Sequence, residues 1–85
     1  MKQFSYVIQD EQGIHARPAG ILVKEVKKFE SDITLEANGK SVAAGKLLAI
    51  MGMGIKKGTE VTISAEGADE AEAAEALEKF FKENL

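Results

Sequence analysis

The spacing of apolar residues switches between a period of two and a period near 3.6, and the order of the switches constrains the fold more than any other feature. Phe4, Tyr6 and Ile8 alternate with Ser5 and Val7, so residues 2–8 read as a strand. Gly13 breaks the pattern. Ala19, Leu22, Val23, Val26 and Phe29 then recur at helical spacing with Lys24, Glu25, Lys27 and Lys28 on the other side, which predicts an amphipathic helix over residues 16–28. Pro18 stands in its first turn, where a missing N–H costs no intrahelical bond. Period two returns at Ile33, Leu35 and Ala37. The Asn38-Gly39 pair that follows suits the positive φ angles of a type I′ hairpin, with residues 40–43 as the return strand. Val61, Ile63 and Ala65 mark a further strand. The last helix is expected to open with a capping box, Asp69-x-x-Glu72, and to bury Ala73, Leu77, Phe80 and Phe81.

Residues 46–53 are apolar on every side after Lys46 and are bounded by Gly45 and Gly54. Leu, Ala and Met favour a two-turn helix over a strand. Two turns cannot bury every side chain against one sheet, so part of the set Leu47, Leu48 and Met51 is expected to face solvent as a docking surface. The order strand, helix, hairpin, short helix, strand, helix describes an α+β domain. Because each strand is apolar on one face only, its helices should pack on a single face of the sheet.

A chain of 85 residues has room for one core, and residues 1–85 are read as a single domain. Without cysteine there is no disulfide framework or thiolate site, and a single histidine cannot assemble a metal cluster, so neither metal nor cofactor is expected. No stretch approaches the length of apolar chain that a membrane span needs. The expectation is a soluble, cytoplasmic protein with no direct membrane insertion.

The net charge of −3 conceals a gradient. Residues 66–85 carry seven acids against Lys79 and Lys82, whereas residues 1–65 carry nine basic and seven acidic side chains. A mildly basic middle suits an acidic or phosphorylated partner, whereas nucleic-acid binders concentrate more positive charge and interleave stacking aromatics. No nucleic-acid partner is expected.

The residues with chemical potential gather before the first helix. His15 sits between Gly13-Ile14 and Ala16-Arg17-Pro18, so a phosphoryl group on its ring would meet the unpartnered amides of a helix start. Arg17 adds a fixed charge whose planar donors match phosphate oxygens, and Pro18 keeps the helix start rigid. Elsewhere the signals are weaker. In Gly52-Met53-Gly54-Ile55-Lys56-Lys57-Gly58 the third glycine comes one residue late for a dinucleotide loop, and these glycines read as turn residues. Glu72, Glu75 and Glu78 read as the solvated face of the last helix.

The segment Gly13-Ile14-His15-Ala16-Arg17-Pro18-Ala19 resembles the active-site motif of HPr, the histidine-containing phosphocarrier family of the bacterial phosphoenolpyruvate-dependent sugar phosphotransferase system. The resemblance extends through Asn38-Gly39-Lys40-Ser41, the stretch from Met51 to Ile55, Gly58-Thr59-Glu60-Val61-Thr62-Ile63-Ser64-Ala65 and Gly67-Ala68-Asp69-Glu70. It implies an open-faced β-sandwich, a four-stranded antiparallel sheet with three helices on one face in the order βαββαβα. It implies that His15 accepts a phosphoryl group on Nδ1 from phospho-enzyme I and passes it to sugar-specific IIA domains. Arg17 would assist, Ala16 and Pro18 would support the phosphoryl group, and Gly20, Leu47, Leu48 and Met51 would form the partner surface. Such a chain is a carrier within a phosphotransferase sequence rather than a stand-alone catalyst, and is expected to be a monomer. The resemblance also marks one departure: Lys46 stands where many low-GC Gram-positive HPr proteins have a serine phosphorylated by an ATP-dependent HPr kinase, so that regulatory input is expected to be missing. The alternatives are an HPr-like regulatory relay or a protein-binding module outside sugar transport.

Overall fold

In the computed structural model, residues 1–85 form β1 (Lys2–Val7), α1 (Ala16–Val26), β2 (Asp32–Ala37), β3 (Lys40–Ala43), α2 (Leu47–Gly52), β4 (Glu60–Glu66) and α3 (Glu70–Asn84). The strands make one antiparallel sheet in the order β1-β4-β2-β3, which places the last strand in the interior. The register lines up Phe4, Ile63, Leu35 and Val42 in one row across the sheet. Ile63 and Leu35 are buried, with Phe4 and Val42 packed at the margins of the same core. The neighbouring row, Ser5, Thr62, Glu36 and Ser41, belongs to the opposite face, because successive strand side chains point to opposite sides. On that face Gln3 Nε2 donates to Ser64 Oγ at 3.1 Å, and the Ser5 and Thr62 hydroxyls lie 3.2 Å apart. The three helices cover the apolar face and leave the polar face open.

Phe81 anchors α3. It is fully buried, with edge-on contacts to Phe4, Tyr6 and Phe80 at ring-centroid distances of 5.9, 5.8 and 6.0 Å. Edge-on pairs of this kind add about 0.5–1.5 kcal/mol each beyond the area they bury. From α1, Ala19, Leu22, Val23 and Val26 enter the same core.

The structure moves several sequence-based boundaries. The helix over 16–28 stops at Val26, and the chain tightens into bonds from Lys28 N–H to Glu25 O (3.1 Å) and Phe29 N–H to Val26 O (3.2 Å). These i→i−3 bonds keep Phe29 near helical phase, which is why apolar spacing extended the helix too far. β1 ends at Val7; Ile8 is still buried and bonds Thr59 O at 3.0 Å, with its own carbonyl accepting from Gly58 N–H at 2.8 Å. Asn38 and Gly39 have φ of 54° and 76°, as the type I′ reading requires. Lys46 is the N-cap of α2, outside the helix proper. The Asp69-x-x-Glu72 capping box is not made. Asp69 makes no side-chain cap bond, because its carboxylate accepts instead from the Glu30 and Ser31 amides, each at 2.9 Å, and from the Ser31 hydroxyl. No helix is long and apolar enough to cross a membrane.

Candidate functional site

The loop before α1 is held from three directions. The Gln9 and Asp10 amides both donate to the main-chain oxygen of Leu85, at 2.6 and 2.9 Å. Asp10 closes a local turn, its Oδ1 accepting from Gln12 N–H at 2.8 Å and its carbonyl from Gly13 N–H at 2.9 Å. Gly13 then passes against the segment before β4 with φ of 67°, so close that a Cβ there would lie 2.1 Å from the Ile55 carbonyl oxygen. That same carbonyl accepts from Ile14 N–H at 3.1 Å, and the Ile14 side chain enters the core. Only glycine fits this approach.

His15 follows as the N-cap of α1, with φ −98° and ψ −179°. Its carbonyl accepts the first intrahelical bond, from Ala19 N–H at 3.0 Å, while its side chain makes no cap bond. Since Pro18 has no N–H, the unpartnered first-turn amides are those of Ala16 and Arg17, next to the ring. The imidazole is about one-third exposed, and its Nε2 lies 3.9 Å from Asp10 Oδ2. An open cleft of about 300 Å³ is lined by Asp10, His15, Arg17, Pro18, Ile21 and Asn84. Arg17 is exposed and forms no ion pair, so its guanidinium is available to an anion in this cleft. Ala16 is exposed and Pro18 is buried.

The short helix supplies a second feature. Ile50 points inward and is fully buried, whereas Leu48 is 84% exposed, Met51 41% and Leu47 37%. All three residues expected to include exposed members therefore face solvent. Leu47, Leu48 and Lys46 line a shallow apolar depression with Val23 of α1 and Lys27, which caps the end of that helix. α1 thus borders both features, with Arg17, Pro18 and Ile21 at the first and Val23 at the second. Gly20, also on α1, has open space where a Cβ would stand. Asp10, Ile21 and Asn84 did not emerge from the sequence as site residues. The Asp10 turn before Gly13 is a recognisable local signal, but the approach to His15 depends on how the loop is folded back.

The family model described as the PTS HPr component phosphorylation site matches residues 2–83. The chain belongs to the HPr family. Among solved structures, the histidine-containing phosphocarrier protein of Mycoplasma is 43% identical and superposes with a TM-score of 0.94 over 96% of this chain and 93% of that one. HPr of Thermoanaerobacter tengcongensis is 40% identical, with a TM-score of 0.91 over 96% and 92% of the two chains. Crh, the catabolite repression protein of Bacillus subtilis, described as a domain-swapped dimer, is 39% identical with a TM-score of 0.78 over 100% and 98%. The open four-stranded sheet with three helices is therefore the HPr fold, and the chain is an HPr-type phosphocarrier of the phosphotransferase system.

Proposed function

We propose that residues 1–85 act as one carrier domain in which His15 accepts a phosphoryl group on Nδ1 from phosphorylated enzyme I and delivers it to sugar-specific IIA domains. The observation that carries this reading is the single histidine of an HPr-family chain held at a helix start, in an open cleft, beside an unpaired arginine. In the forward step the Nδ1 lone pair bonds to phosphorus as the bond from phosphorus to the donor nitrogen breaks, and that bond's electron pair returns to the donor. Arg17 and the amides of Ala16 and Arg17 stabilise the phosphoryl oxygens, while Pro18 keeps the first turn from moving. Leu47, Leu48 and Met51, with Gly20, form the apolar contact that both partners share. Both partners would be met in the cytoplasm. One copy suffices, since the histidine, the arginine and the patch all belong to one chain, and light scattering should therefore give a monomer mass.

The deciding experiment combines the protein with phosphoenolpyruvate and enzyme I. An acid-labile, base-stable phosphate should appear in the wild type and be absent from His15→Ala. Label retained in that variant would overturn the assignment. The similarity to Crh favours one second reading, a regulatory relay outside sugar uptake, in which His15 would still be labelled but no IIA domain would take the phosphate.

A further inference from the structure

Two nitrogens of the His15 ring could carry the proton when the ring is neutral, and only the one without it can attack phosphorus. We propose that Asp10 is a positioning residue for the transfer: its carboxylate holds the proton on Nε2 and so leaves the Nδ1 lone pair free. The proposal rests on His15 being the phosphoryl acceptor, and it adds the group that selects the nitrogen.

Geometry carries the inference. Asp10 Oδ2 is 3.9 Å from His15 Nε2. The remaining gap is about an ångström beyond a hydrogen bond, and catalytic hydrogen bonds are often long in the free protein and tighten in the complex. The carboxylate is not free to wander. Its other oxygen is fixed by Gln12 N–H at 2.8 Å, and the Asp10 amide is bound to Leu85 O at 2.9 Å. Its neighbour Glu11 does not compete for the ring, because its carboxylate is engaged by Lys57 Nζ at 2.8 Å. His15 makes no cap bond of its own, and the one carboxylate within ion-pair range of its ring is that of Asp10.

The chemistry follows from proton accounting. A neutral ring with its proton on Nε2 attacks through Nδ1 without losing a proton, and the new nitrogen–phosphorus bond leaves the ring with added positive charge. A carboxylate at Nε2 stabilises that charge from the side opposite the phosphoryl group. When the phosphoryl group departs, the electron pair returns to Nδ1 and the Nε2 proton has not moved.

Substitutions separate this role from the turn. In Asp10→Asn the amide oxygen can keep the bond from Gln12, while its NH₂ turns a donor toward Nε2, which favours the proton on Nδ1. Nitrogen-15 NMR of the unphosphorylated protein, at a pH where the ring is neutral, should show mainly the Nε2–H form in the wild type. The population should shift toward Nδ1–H in Asp10→Asn and lie between in Asp10→Ala. Acceptance of phosphate from enzyme I should slow about tenfold in Asp10→Asn, in proportion to the competent form, with KM little changed. Asp10→Glu should recover part of the rate. Equal tautomer populations in the wild type, Asp10→Asn and Asp10→Ala would overturn the proposal. Failure of the wild type to accept phosphate would instead count against the carrier reading, and the two are distinguishable because the NMR measurement needs no partner.

Discussion

Asp69 and Ser31 join the start of α3 to the start of β2: one carboxylate oxygen of Asp69 accepts from both the amide and the hydroxyl of Ser31, and the other accepts from the Glu30 amide. Ser31 is buried at this point, and Gly67 passes so close that a Cβ would meet its Cα at 2.8 Å. A single carboxylate therefore closes the crossing from the first half of the sheet to the final helix.

This closure is sensitive to acid. The Ser31 hydroxyl, followed by the Glu30 amide, holds the Asp69 carboxyl below its ordinary value of 3.8. The adjacent Glu70 is held below its ordinary 4.5, first by a bond from the Met1 ammonium and then by the Gly67 amide. Groups with lowered native values contribute stability that is complete above their unfolded values and is lost as pH falls through the native ones. Urea midpoints should fall as pH drops below about 5, with the slope reduced in Asp69→Asn, which should also be less stable at pH 7. An unchanged slope in that variant would remove Asp69 from the account.

Gly13→Ala and Gly39→Ala separate a clash from a conformational preference. Both glycines have positive φ, but the new Cβ meets the Ile55 carbonyl at Gly13 and nothing within 4 Å at Gly39. Gly39→Ala should cost about 1 kcal/mol, the left-handed penalty alone. Gly13→Ala should cost at least about 2 kcal/mol more, since the backbone must move and the loop carrying His15 moves with it. Denaturant titration measures both; equal losses would show that the 55–56 segment yields easily.

Arg17 is exposed and unpaired, so Arg17→Lys should leave the unfolding midpoint nearly unchanged. The lysine retains charge but loses the planar fork. Rapid-quench transfer from phospho-enzyme I should slow about tenfold to a hundredfold, equivalent to about 1.4–2.7 kcal/mol of barrier. Equal rates would mean that a point charge is enough.

On α2 the side chains divide cleanly between fold and surface. Ile50→Ala should cost about 2–5 kcal/mol of stability, as a fully buried side chain does. Leu48→Asp, at a position 84% exposed, should change stability by less than about 0.5 kcal/mol while weakening enzyme I binding through the apolar contact. Lys46→Glu should act differently, slowing association at low salt and converging with the wild type as salt rises. With lysine at position 46, an HPr kinase with ATP should produce no phosphoserine, Ser41 included.

Element types were legible in the sequence because they depend on neighbours along the chain. The alternation at Ile33, Leu35 and Ala37, the Asn38-Gly39 turn and the helical spacing of Leu22, Val23 and Val26 each express a local backbone geometry, and each is found where the pattern put it. The histidine and arginine motif and the exposed Leu47, Leu48 and Met51 were legible for the same reason: a helix start and a two-turn helix can be reasoned out from a dozen residues. Contacts between distant segments could not be. Asp69 looked like a cap because Glu72 stands three residues on, yet Ser31 and Glu30 offered three donors from another part of the chain, and a carboxylate satisfies the set that is brought to it. The need for glycine at position 13 comes from Ile55, and the anchoring of Asp10 comes from Leu85. The interior position of β4 brings β1 and β2 together on either side of it, and with them the loop that turns Asp10 toward His15. Periodicity reports which face of an element is buried, but what lies against that face is decided only when the whole core closes.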